Sequence, residues 1–148
     1  MKKNTALIFL IFCALVASTN TQNNADAIIG VWQTGSGKAH VQIKKSGTTY
    51  YGHVVWLKNP THENGKPKLD HNNPDINKRN NPILGLRIVL GFEYKGENLW
   101  ENGVIYDPEN GRTYSCKAEL TSANTLTVRG YVGISLVGRT DNWTRISN

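Results

Sequence analysis

Few side chains in this sequence stand at spacings that chemistry would need. Its four histidines are His40, His53, His62 and His71. The last two share one polar stretch with Glu63, Asp70 and Asp75. A metal site there would require three or four of these groups to converge. The run Asp70-His71-Asn72-Asn73-Pro74-Asp75 lacks the turn glycine and closing glutamate of a calcium loop. No metal and no cofactor is expected. Paired carboxylates for acid–base work would be Glu93 with Glu101, or Glu101 with Glu119, should their strands be neighbours. Ser115 has no base at a useful spacing, and no Gly-x-Ser-x-Gly elbow is present. The sequence nominates no catalytic residue and points away from an enzyme.

Binding residues are easier to find. Trp56 and Trp100 are candidates for lining a pocket mouth, the alternative being ordinary core packing. Ser115, Lys117 and Glu119 alternate on one stretch, and Thr125, Thr127, Arg129 and Tyr131 on the next. Either this row is a water-facing wall held by cross-strand pairs, or it puts Arg129 and Tyr131 inside, gripping an anionic head group. Alternation cannot choose, because a one-residue change of register exchanges the two faces.

The elements that must position these residues are strands. Period-two alternation between turn residues marks Ile28 to Gln33, Lys38 to Lys45, Thr48 to Leu57, Leu86 to Tyr94, Leu99 to Tyr106, Thr113 to Leu120, Thr125 to Val132 and Asn142 to Ser147. Ser46-Gly47, Lys95-Gly96 and Ser122-Ala123-Asn124 read as turns, and Asp107-Pro108-Glu109-Asn110-Gly111 as a hairpin connection. Leu86, Ile88, Leu90, Phe92 and Tyr94 are expected to face one way. About eight strands at hairpin spacing suggest an antiparallel up-and-down sheet, closed as a barrel or stacked as a sandwich. The exception is residues 58–85, rich in Asn, Pro, Lys and Asp. A connection that long is uncommon unless it is functional or mobile, so it reads as a lid or binding loop, or as a spacer. Asp75 to Asn80 is expected to form one short helical turn.

The chain begins with Lys2 and Lys3 and an apolar run from Ala6 to Ala17, followed by small residues. This is the pattern of a secretory signal peptide, too short to span a membrane. Cleavage is expected after Ala27 (Ala25-Asp26-Ala27) or after Ser18 (Val16-Ala17-Ser18). Cys13 is a poor lipidation site, since bulky Phe12 precedes it. Residues 28–148 then form one domain, exported to the periplasm or secreted. Cys116 would be the lone thiol of that domain, unable to form an internal disulfide, and reads as a buried small hydrophobe. The whole chain carries a net charge of +6, but the charges are scattered rather than gathered into a basic stripe, which argues against nucleic acid.

Gly30-Val31-Trp32 opens the first strand. Glycine permits a tight bend or close approach of another strand, and an indole can fill the end of a barrel while its N–H keeps a partner. This Gly-x-Trp resembles the signature of the calycin barrels: lipocalins, fatty-acid-binding proteins and avidins. The resemblance implies an arginine from the last strand packed across Trp32, with Arg145 the first candidate and Arg139 the second. More widely, "GVW", "YYGHVVWL", "ENGKPKLDHNNPD", "NPILGL", "WENGVIYDPENGRTYSC" and "VRGYVGISLVGRTDNWTR" resemble the bacterial domain-of-unknown-function family 2147 (DUF2147) across the region after the signal. That resemblance implies a lipocalin-like barrel and an envelope address, and brings no activity.

The expectation is an all-β, antiparallel up-and-down barrel of about eight strands, lipocalin-like. Its expected role is to bind a small, hydrophobic or amphipathic, partly apolar ligand without catalysis. One alternative is a solid barrel that binds an envelope protein partner. That version needs Tyr50, Trp56, Leu90, Phe92, Trp100 and Tyr114 all to point inward. Another is a hydrolase acting on an envelope lipid or sugar.

Overall fold

The computed structural model describes residues 24–148. The apolar run, Cys13 and the cleavage position after Ser18 lie outside the described residues. The remainder is an eight-stranded antiparallel meander whose first and last strands pair, so the sheet closes into a barrel. The strands are β1 (Gly30–Gln33), β2 (Ala39–Ser46), β3 (Thr49–Leu57), β4 (Arg87–Gly96), β5 (Leu99–Asp107), β6 (Arg112–Ser122), β7 (Thr125–Tyr131) and β8 (Gly138–Ser147). A 3-10 turn, Ala25–Ile28, precedes β1, and a second, Ile76–Lys78, sits in the long connection.

Closure is made by the residues that open and end the barrel. Trp32 lies opposite Arg145 across the β1–β8 seam. The Arg145 guanidinium lies 4.1 Å from the centre of the Trp32 ring. It also donates to Ile29 O (2.9 Å), Ala27 O (2.7 Å) and Ala123 O (2.8 Å). Gly30 has φ of +142°, and a Cβ there would stand 2.6 Å from Ser147 O and 2.8 Å from an Arg145 nitrogen. The glycine is therefore required twice, by its backbone angle and by the closeness of β8.

Two local expectations fail for backbone reasons. The β4–β5 turn is not Lys95-Gly96 but Glu97-Asn98, both at positive φ, the geometry of a two-residue turn that follows strand twist. Leu90 does not join the inward row. It is 39% exposed, whereas Val89 and Phe92 are fully buried. Gly91, at φ +76°, interrupts the alternation between them and exchanges the faces. β8 also begins at Gly138, four residues before the expected Asn142.

One end of the barrel is filled. Trp32, Trp100, Tyr50, Phe92, Ile28, Ile43 and Leu126 are buried there or beside it. Tyr50 and Trp100 meet edge to face at 6.5 Å, and Tyr94 tilts against Trp100 at 5.1 Å. The Phe92 ring lies over Gly103, where an added Cβ would come within 2.5 Å of it. Cys116 is buried, and burial pushes its thiol pKa up to about 12.

Candidate functional site

The other end of the barrel is hollow. A cavity of about 1100 Å³ opens there. Ala39 and Val54 (β2, β3), Ile88 (β4), Ile105 and Tyr114 (β5, β6), Val128 (β7) and Trp143 (β8) supply its apolar wall. Pairing explains the row on β7 and β8. Gly130 faces inward, since a Cβ on it would meet Ile105 and Tyr114. Its partner on β8 is Arg139, and Asp141 and Trp143 stand opposite Val128 and Leu126. Arg139, Asp141, Trp143 and Arg145 therefore form one inward-facing row, with Arg139 at the mouth and Arg145 at the floor.

The rim is charged, and its acids are committed. Asp141 accepts from Trp143 Nε1 (2.8 Å) and Gly35 N (3.2 Å). Glu109 pairs with Lys38 at 2.8 Å. Asp107 accepts from Glu109 N and Asn110 Nδ2, both at 2.9 Å, inside the β5–β6 turn. Arg139, Lys58 and Lys68 border the same cavity. Among the described residues their side chains have no hydrogen-bond or ion-pair partner.

The long connection packs beside this mouth. Asp70 is fully buried and accepts from Tyr106 Oη and Asn73 Nδ2, each at 2.6 Å. Burial and that carboxylate push the Tyr106 phenol pKa up. Asn72 donates to Glu109 O (2.9 Å), and Arg79 to Asn73 O (2.7 Å). At its end Gly85 N donates to Val54 O (2.7 Å). Lys58, Asn59, Lys68 and Ile83 reach the cavity from it. Pro60, Pro67, Pro74 and Pro82 keep it out of regular strands, so isolated bridges (Thr61 with Pro67, Leu69 with Pro82), scattered backbone hydrogen bonds and these side chains hold it together. The helical turn is shorter than expected, Ile76–Lys78.

Each residue nominated from sequence has a definite place. Trp56 is 41% exposed on the outer wall, stacked on His40 at 4.2 Å, and does not line this cavity. The register shift between His40 and Val41 admits an extra residue of β3 before it, and such a bulge re-aims the side chains beyond it. Trp100 is buried at the floor, donating to Ala25 O at 3.2 Å, far from any mouth. Arg129 pairs with Lys117 and Thr140 on the outer row. Its guanidinium holds Ser135 O (2.6 Å), Leu136 O (3.1 Å) and Thr140 Oγ1 (2.8 Å). Tyr131 stands at the rim, opposite Gly138. Arg129 is thus a loop brace, and the inward cation of this strand pair is Arg139. Extending the β8 alternation back two residues from Asp141 would have found it.

None of the groups nominated for catalysis meets in the cavity. Glu93 and Glu101 are cross-strand neighbours on the outer wall. Lys95 (2.6 Å) and Asn102 (2.9 Å) donate to Glu93 and lower its pKa. Glu119 lies opposite Leu99, out of line with Glu101. His62 and His71 are exposed. Among the described residues no three His, Cys, Asp or Glu side chains are grouped as metal ligands would be.

Fold and cavity together define a class: a small closed antiparallel barrel, plugged at one end and open at the other, of lipocalin type. The chain belongs to the family described as uncharacterized proteins conserved in bacteria (DUF2147), whose sequence model matches residues 30–145. The fold is similar to a solved structure described as protein HP1028 from the human pathogen Helicobacter pylori, which belongs to the lipocalin family. The two align with a TM-score of 0.71 and 22% identity, over 81% of this chain and 83% of that one. No curated protein matches the sequence.

Proposed function

We propose that this protein binds, without catalysis, a small elongated molecule with an apolar body and an anionic end, in the exported compartment to which its N-terminal pattern would direct it. One observation carries the reading: the half-empty barrel. Its volume of about 1100 Å³ is slightly above the usual range of small-molecule sites, about 300–1000 Å³. The wall from Val54 to Trp143 suits an apolar body. At the mouth the carboxylates are internally paired while Arg139, Lys58 and Lys68 are free, which favours an anion there.

The solid-barrel alternative is weakened by Trp56 and Leu90, which lie outside and leave their volume empty. The hydrolase alternative has no nominated pair in the cavity to carry it, since Glu93 and Glu101 meet on the outer wall. The test is a titration followed by tryptophan fluorescence, with laurate and lauryl alcohol as probes of equal chain length. Trp143 in the wall reports on both. Laurate is expected to bind saturably at one site, more tightly than the alcohol, and Arg139→Gln should reduce that preference by about tenfold. If neither probe binds, the binding reading fails. If both bind equally, only the anionic end fails.

A further inference from the structure

We infer that, on export, the chain is cut before Asn24, at the position after Ser18, and not after Ala27, although Ala25-Asp26-Ala27 is the better peptidase match. The three residues that the later cut would remove build the barrel floor. Ala25 O accepts from Nε1 of buried Trp100 (3.2 Å), and Ala27 O from Arg145 (2.7 Å). Asp26 accepts from Tyr50 Oη and Lys45 Nζ, both at 2.7 Å. Cutting after Ala27 hydrolyses the Ala27–Ile28 peptide bond, leaving a carboxylate on the released segment and an ammonium on Ile28. Ile28 is fully buried, and its carbonyl accepts from Trp32 Nε1 at 2.9 Å. A charged terminus would then stand where only apolar surface and filled hydrogen bonds exist, beside an indole and a phenol that had lost their partners.

The full-length chain is expressed in a bacterium, and the intact mass and N-terminal sequence of the exported protein are read. The expected N-terminus is Thr19, with Ser18→Leu accumulating uncut precursor and Ala27→Leu processed as before. An N-terminus at Ile28, retention of Met1, or normal processing of Ser18→Leu overturns the inference. Processing is read by mass, so the result does not depend on the stability of either variant.

A separate observation concerns the β7–β8 loop, residues 132–137. Val132, Ile134, Leu136 and Val137 are 62–85% exposed, a cluster of apolar side chains unlike singly scattered ones. The loop is held in shape: Arg129 grips Ser135 O and Leu136 O. Val132 and Val137 also border the cavity mouth, beside the unpaired Arg139, Lys58 and Lys68. An apolar tip at a rim that also carries free cations, its acids being paired, is complementary to an anionic lipid surface, into which the tip inserts while the cations meet head groups. The structure assigns this end of the barrel as a docking face for an anionic bilayer.

Purified protein is sedimented with vesicles of phosphatidylcholine, alone or mixed with phosphatidylglycerol. Binding is expected only to the anionic vesicles, weakening on the order of fivefold with each of Lys58→Gln and Lys68→Gln and disappearing in Ile134→Ser/Leu136→Ser. That double variant should still bind laurate, because neither residue lines the cavity. Absence of vesicle binding, indifference to lipid charge, or loop-dependent self-association of the free protein overturns the proposal, the last in favour of a second copy.

Discussion

Arg145→Met is the most informative single substitution in the barrel wall. Methionine keeps much of the aliphatic stem and removes every donor. Ala27 O and Ile29 O then lose partners 2.7 and 2.9 Å away, and the Trp32 face loses its cation at 4.1 Å. An unsatisfied carbonyl costs about 1–3 kcal/mol when buried. These two are only part-buried, so water replaces some of the loss and about 1 kcal/mol each is reasonable. The stack adds about 0.5–2 kcal/mol, while Ala123 O, near solvent, adds little. The total is about 2–4 kcal/mol. In urea, with m of about 1–3 kcal/mol/M, the midpoint should fall by on the order of 1–2 M at unchanged m. Arg145→Lys should restore under half of this, since an ammonium cannot reach three carbonyls in different directions. A loss below about 1 kcal/mol, or full recovery with lysine, would refute the argument that a guanidinium fork joins the ends of the sheet.

Three further outcomes follow from the same packing. Lys45 and Tyr50 hold the Asp26 carboxyl below its ordinary value of 3.8, so its contribution is complete above that pH and is lost as pH falls through the depressed value. The melting temperatures of wild type and Asp26→Asn should differ at neutral pH and converge below pH 3.8; a gap that persists in strong acid contradicts this. The Cys116 thiol, pushed up to about 12, should resist an aromatic disulfide reagent in the folded protein and react at once in urea; rapid labelling of folded protein would place it at the surface. Gly103→Ala puts a methyl within 2.5 Å of the Phe92 ring and should cost about 1–3 kcal/mol by urea unfolding, whereas a neutral result would mean that the ring moves freely.

Much of the fold was legible because strand alternation is local. The strand count and order, the polar connection and the Gly30–Trp32–Arg145 trio could be read from period, turn residues and family resemblance. The candidate site was less legible because facing depends on register, and register depends on distant pairing. Trp56 left the interior through a bulge in its own strand at Val55, and Leu90 through one left-handed glycine. Trp100 is an interior residue as its type suggests, but depth along the barrel, set by the stagger of the strands, put it at the floor. Arg129 and Arg139 differ only in which faces inward, which the Gly130 pairing decides. The floor's use of Ala25 and Asp26 left no trace in composition or alternation.

The location of a bound molecule is the point on which the account stands. Methyl resonances of Val54, Ile88, Ile105 and Val128, assigned in labelled protein, can be followed by two-dimensional NMR during a laurate titration. These four are predicted to shift together and saturate at one equivalent, while Ile43 and Leu126, buried towards the filled end, stay in place. Shifts confined to Ile76, Ile134 or other outer residues, with the wall methyls unmoved, would contradict a ligand held inside the barrel.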